Sequence, residues 1–124
     1  MKRGDGMKTP VTVRIFDIVG GPLCVSADDG QRVHDKIVPL LRDGTPVVLS
    51  FEQIETLIPA FLNAAIGQLY GEFPEERIRE LVSVRDMDGE DQAVLKRVVD
   101  NAKTYFKASK EFDQTWKEEV GDEE

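Results

Sequence analysis

The stretch Thr45–Tyr70, TPVVLSFEQIETLIPAFLNAAIGQLY, decides the fold. A short apolar run, Val47, Val48, Leu49 and Phe51, leads into Ile58, Phe61, Leu62, Ala65, Ile66 and Leu69 at helical spacing. The period changes from that of a buried strand to that of an amphipathic helix within a few residues. Pro59 suits the first turn of such a helix, where its missing N–H costs little, and Gly71 suits the position past the end. The segment therefore reads as a strand feeding a helix from about Pro59 to about Tyr70 that lies back on its own sheet.

Upstream, Val11–Val19 (VTVRIFDIV) is β-branched and roughly alternating, so it reads as a strand. Gly20-Gly21-Pro22 is a turn signal, and Leu23, Cys24 and Val25 form a second short strand expected to run antiparallel to the first. Ser26-Ala-Asp-Asp29 resembles a capping box, and Val33, Ile37, Leu40 and Leu41 follow at helical spacing. Pro39 predicts a kink or a loosened last turn, and Gly44 ends the helix. Downstream, Pro74–Leu81 fits a short helix and Val82–Val84 a brief strand. Asp88-Gly-Glu-Asp91 caps a last helix running from about Glu90 to about Lys117. At 1.5 Å per residue that helix is roughly 40 Å long, against about 30 Å for a small domain. Either it breaks near Ala108-Ser109, or its end overhangs and needs another chain to cover Phe112 and Trp116. The expected architecture is α/β: a mixed sheet of about four strands with helices packed on it, in the order β-β-α-β-α-(α)-β-α. A flexible tail is expected over 1–10, one domain over 11–118, and a frayed acidic end over 119–124.

Composition narrows the function. The chain has 124 residues, 40% of them hydrophobic, enough for one compact core. Its net charge of −8, with basic residues scattered among acids, argues against nucleic acid as a partner. No apolar run approaches the roughly 18 residues that span a membrane. No signal-peptide pattern opens the chain, and the single Cys24 forbids an internal disulfide, so a reducing cytosol is the expected compartment.

The order of elements, the run VVLSFEQIETLIPAFLNAAIGQLYGEF (Val47–Phe73) and the SADDG opening of the first helix (Ser26–Gly30) resemble the STAS-like family of unknown function found in bacterial proteins. Phe61, Gly67 and Leu69 sit where that family's pattern places such residues. The resemblance covers roughly Val11 to Ala102 and implies a regulatory protein–protein interaction module. It implies as partner another protein, such as a kinase-like ATPase or a regulator. In classical STAS proteins a Ser at the start of the second helix is phosphorylated. The matching positions here are Ile58, Pro59 and Ala60, which carry no hydroxyl, and Ser50 stands where an acid is expected. Thr56 is the nearest candidate for phosphorylation, and a helix cap is its simpler role.

The remaining constellations carry no catalytic signature. His34, the one histidine, is expected on a solvated flank of its helix, and Cys24 as a buried small hydrophobe. Asp86–Asp91 fails the spacing of a calcium loop, and no Cys/His cluster exists for zinc. No enzyme, metal or cofactor is therefore expected. The partner surface is expected at Glu52, Gln53, Thr56, Pro59, Ala60 and Asn63, where an exposed helix start suits an acidic or phosphorylated group. A homodimer through Tyr105, Phe106, Phe112 and Trp116 is the structural alternative, since interface cores are rich in aromatics. A small-ligand or nucleotide binder is the third reading, and it requires a pocket with convergent polar groups.

Overall fold

The structure is a computed structural model that describes residues 8–120, with side chains described to residue 107. The tails expected over 1–10 and 119–124 fall mostly outside the described residues. The elements run β1 (Val11–Arg14), α1 (Ile15–Val19), β2 (Leu23–Cys24), α2 (Ala27–Arg42), β3 (Val47–Ser50), β4 (Thr56–Leu57), α3 (Pro59–Ala65), a 3-10 turn (Gly67–Gly71), α4 (Glu75–Leu81), β5 (Val82–Arg85) and α5 (Gly89–Val120). The α/β class, the central strand-to-helix unit and the long last helix are as the sequence indicates.

The strands divide differently from the expected four-stranded mixed sheet. β1, β3 and β5 form one three-stranded sheet with β3 in the middle, β2 and β4 form a separate pair, and every described pairing is parallel. β2 thus pairs with β4 rather than running antiparallel to β1. The reason is α1. The alternation of VTVRIFDIV invites a single strand, but the chain turns helical at Ile15, whose side chain is fully buried. Gly20 closes that turn at φ 86°, its N–H bonded to Phe16 O at 2.8 Å. A left-handed cap of this kind is nearly free only for glycine. The helix turns the chain out of the first sheet before β2 begins.

α2 opens as its cap signals require, with Ser26 Oγ accepting from Asp29 N–H at 3.0 Å. Pro39 falls in its closing turns, and the helix continues to Arg42 before Gly44, at φ 79°, ends it. α3 starts on Pro59 but stops at Ala65; the residues expected to carry it to Tyr70 form the tighter 3-10 turn instead. Gly67 marks the break. A Cβ there would stand 2.6 Å from Asn63 Oδ1, so a larger residue would require the Asn63 side chain to swing aside.

In the three-stranded sheet the register places Val13, Leu49 and Val84 in one row and Val47 beside Val82 in the next. That face packs into the core with Val33 and Ile37 of α2 and Phe61 and Leu62 of α3, all four of them fully buried. α2 and α3 make the most extensive helix–helix contact of the fold, and α5 lies across α3 and the 3-10 turn. Among the described residues no helix is long and apolar enough to cross a membrane.

Candidate functional site

Strand alternation and parallel register build the site from β2 and β4. Successive side chains point to opposite faces. Leu23 stands beside Thr56 and Cys24 beside Leu57, so Cys24 and Leu57 face the core while Leu23 and Thr56 face out. Leu23 is 50% exposed and Val25 is 46% exposed. Few large apolar side chains among the described residues stand so far into solvent, and these two belong to one short strand and its extension.

Both strands feed helices at the same end. β2 leads through Ser26 into α2, and β4 leads through Ile58 into α3. Gly30 lets those helices close on each other: an added Cβ would lie 2.4 Å from Phe61 O and 2.9 Å from Ala64 Cβ. Ala27, Pro59 and Ala60, exposed in the first turns of those helices, follow within a few residues of Leu23, Val25 and Thr56 on the paired strands. From Thr56 to Gly71 the sequence has no charged side chain. The result is a small-residue and apolar surface with an acidic rim. Asp28 and Glu55 flank it without an ion-pair partner among the described residues, while Asp29 is taken by Arg32 at 3.0 Å.

All six residues expected to bind a partner are exposed, but they do not act as one group. Thr56, Pro59 and Ala60 lie on this surface. Glu52 and Gln53 are held by Arg14, whose guanidinium donates to Glu52 Oε1 at 3.2 Å and Gln53 Oε1 at 2.8 Å. Asn63 leans over Gly67. Thr56 is a strand residue and not a helix cap; the cap position of α3 is Ile58, with no side-chain bond. Leu23 and Val25 are not expected from sequence, since nothing local tells which face of a three-residue apolar run meets solvent. The Gly-Gly-Pro turn before them was the one available signal that the strand is an edge.

The profile of a STAS-like domain of unknown function (DUF4325) matches residues 29–92, just over half the chain. The chain belongs to this family. No curated protein and no solved structure shows a match to it. The match in this STAS-like domain takes in β4 and α3 but begins after β2, so Leu23 and Val25 lie outside it.

Elsewhere in the domain the ionisable groups are mostly engaged. His34, expected on a solvated flank, is only 6% exposed. Its Nε2 lies 2.7 Å from Glu72 Oε1, and its Nδ1 lies 3.2 Å from Gln31 Nε2 and 3.4 Å from Asp35 Oδ1. Gln31 Nε2 also donates to Asp35 Oδ1 at 2.9 Å, and Gln31 and His34 together hold the Asp35 carboxyl below its usual range. Gln68 Nε2 donates to Gln31 Oε1 at 2.8 Å, so the cluster ties α2 to the 3-10 turn and the residue after it. Local sequence does not reveal this burial, because the carboxylate partner of the imidazole lies 38 residues away. Cys24 is buried as expected, and that burial, helped by Asp29 and Asp91, pushes its thiol up to about 12. Asp88 caps α5, its Oδ1 accepting from Asp91 N–H at 2.8 Å.

An apolar groove of about 270 Å³ runs between β5, α4 and α5, walled by Ile78, Val82, Val84, Leu95 and Val99. Glu75, also lining it, is gripped by Lys103 at 2.9 Å and Arg79 at 2.8 Å, which hold its carboxyl down. Among the described residues no group of three His, Cys, Asp or Glu side chains is placed to hold a metal. Of the expected dimer aromatics, Phe106 covers Gly71, where an added Cβ would meet its ring at 2.4 Å. Tyr105 is 66% exposed and meets Phe106 edge-on at 5.0 Å. The side chains of Phe112 and Trp116 lie outside the described residues.

Proposed function

We propose that this STAS-like domain works as a non-enzymatic docking module. Its contact surface is the outer face of β2 and β4 with the start of α3. The observation that carries this reading is the half-exposed pair Leu23 and Val25 beside the uncharged Thr56, Pro59 and Ala60. Apolar side chains clustered at a surface mark interaction sites. The STAS resemblance supports a regulatory protein as the class of partner, a kinase-like ATPase among them. Thr56, exposed within the surface, is the point at which a phosphate would add nearly two charges and break an apolar contact.

The test is capture from native lysate with the wild-type domain and with Val25→Arg and Ala60→Arg. Both variants should keep the wild-type melting temperature and lose the captured protein. Retention of the same protein by both, at wild-type yield, removes the support for this surface.

A second reading, homodimerisation through α5, is favoured by Tyr105, an aromatic standing in solvent on a helix of 32 residues. The two readings use different surfaces and are compatible.

A further inference from the structure

The hydrogen bonds of β2 show which of its edges is open. Pro22 O accepts from Thr56 N–H and Cys24 O accepts from Ile58 N–H, so these carbonyls face β4. Along a strand the backbone groups alternate in direction. The N–H and C=O of Leu23 and Val25 therefore point away from β4, and among the described residues no backbone pairing uses them. Ser26, the next residue, is still extended at φ −138° and ψ 138°. β2 thus offers a short open edge, Leu23–Ser26, whose two large outward side chains are apolar and half-exposed. Its flanking charges are of one sign. Asp28 follows it, and Glu55 is tied to its start through the bond from Glu55 N–H to Pro22 O at 2.8 Å. Neither carboxylate has a basic partner among the described residues, and Arg14 and Arg32 are already engaged.

We infer that this edge receives an extended segment of a partner protein, added as a strand beside β2, with apolar residues at alternate positions and Lys or Arg on the others. The inference rests on the docking surface proposed above and gives its partner a chemistry. Main-chain hydrogen bonds to Leu23 and Val25 supply the adhesion of strand addition. Apolar side chains of the incoming strand cover Leu23 and Val25, and its cations meet Asp28 and Glu55. This sign is the reverse of the acidic or phosphorylated group expected from the helix start. α3, two turns long with no charged residue, offers little against that rim.

The experiment uses two synthetic peptides, acetyl-KVKVTVK-amide and acetyl-EVEVTVE-amide, titrated into the isotopically labelled full chain and followed by amide NMR. The basic peptide should shift the Leu23, Val25 and Thr56 amides and slow solvent exchange at Leu23 and Val25. The acidic peptide should bind at least about tenfold more weakly, since surface charge pairs are individually small but here all change sign. Asp28→Lys combined with Glu55→Lys should reverse that order. Val25→Pro, which removes an outward N–H at an edge position that tolerates proline, should abolish the exchange protection. Should Val25→Pro not fold, Leu23→Lys serves, and it should weaken the basic peptide alone. Absence of shifts at β2 with both peptides, or equal binding of the two, overturns the inference. Capture of a protein by the wild-type chain and not by Ala60→Arg would then leave the docking surface standing without strand addition.

Discussion

At the scale of single residues, burial and partner choice decide what each side chain can do. Cys24 has no accessible surface, and its thiol is pushed up to about 12 from an ordinary 9.0. A thiolate is the reactive species, so the native chain should be inert to a disulfide reagent and react only on unfolding. Rapid labelling of the native protein would contradict this. The sign of the linkage follows from the raised value. The folded state keeps the proton while the unfolded chain releases it above pH 9, so stability from this group is full below 9 and falls as pH rises towards 12. In urea titrations the loss across that window should be steeper for wild type than for Cys24→Ala, by about 1.4 kcal/mol per pH unit at most. His34 works differently. Its ring projects from α2, is buried, and reaches Glu72, just past the 3-10 turn, at 2.7 Å. His34→Leu fills the space but loses both ring hydrogen bonds, and should cost about 1–3 kcal/mol. Hydrogen exchange should quicken first at Leu69 and Gly71, and unchanged protection there would show that the turn holds without the bond.

At the scale of elements, local pattern was legible and pairing was not. The switch of period at Val47–Leu69, the Ser26 and Asp88 caps and the Pro59 start each depend on neighbours within a few residues, and each appears in the fold. α1 was hidden because VTVRIFDIV fits a strand equally well, and its helical turn is settled by burial of Ile15 and the left-handed cap at Gly20. The shortening of α3 was hidden because Gly67 matters for what lies above it, Asn63 and Ala102, and not for its own propensity alone. The parallel pairing of β2 with β4 joins segments about thirty residues apart and leaves no local trace. Gly30 is the hinge of the whole helix layer. A methyl group there meets the backbone at Phe61 O at 2.4 Å, and backbone cannot rotate aside. Gly30→Ala should therefore force α2 and α3 apart and cost about 1–3 kcal/mol, despite the better helix propensity of alanine. A urea midpoint equal to or above wild type would show that the two helices can separate freely.

At the scale of the whole molecule, charge and shape together would govern any association between copies of the chain. The candidate surface was half legible from sequence. Thr56, Pro59 and Ala60 follow from the helix start, whereas Leu23 and Val25 join them only through the register of β2 on β4. The aromatic helix was legible as a periodic stripe, but Phe106 turns inward onto Gly71 while Tyr105 turns out, a division that periodicity does not reveal. α5 runs thirteen residues past Lys107, about 20 Å at 1.5 Å per residue. Association through this helix would bring together two chains of charge −8, which repel at long range. Screening at about 0.15 M salt shortens that repulsion to about 8 Å while leaving apolar contact intact. Sedimentation velocity should therefore show a dimer that strengthens as salt is raised, the opposite of an ion-paired interface. Tyr105→Lys, which adds a cation in place of an exposed ring, should shift the chain to monomer at every salt concentration without lowering its melting temperature. A wild-type monomer at tens of micromolar in physiological salt, or a dimer indifferent to Tyr105→Lys, would leave the exposed ring without a role in self-association.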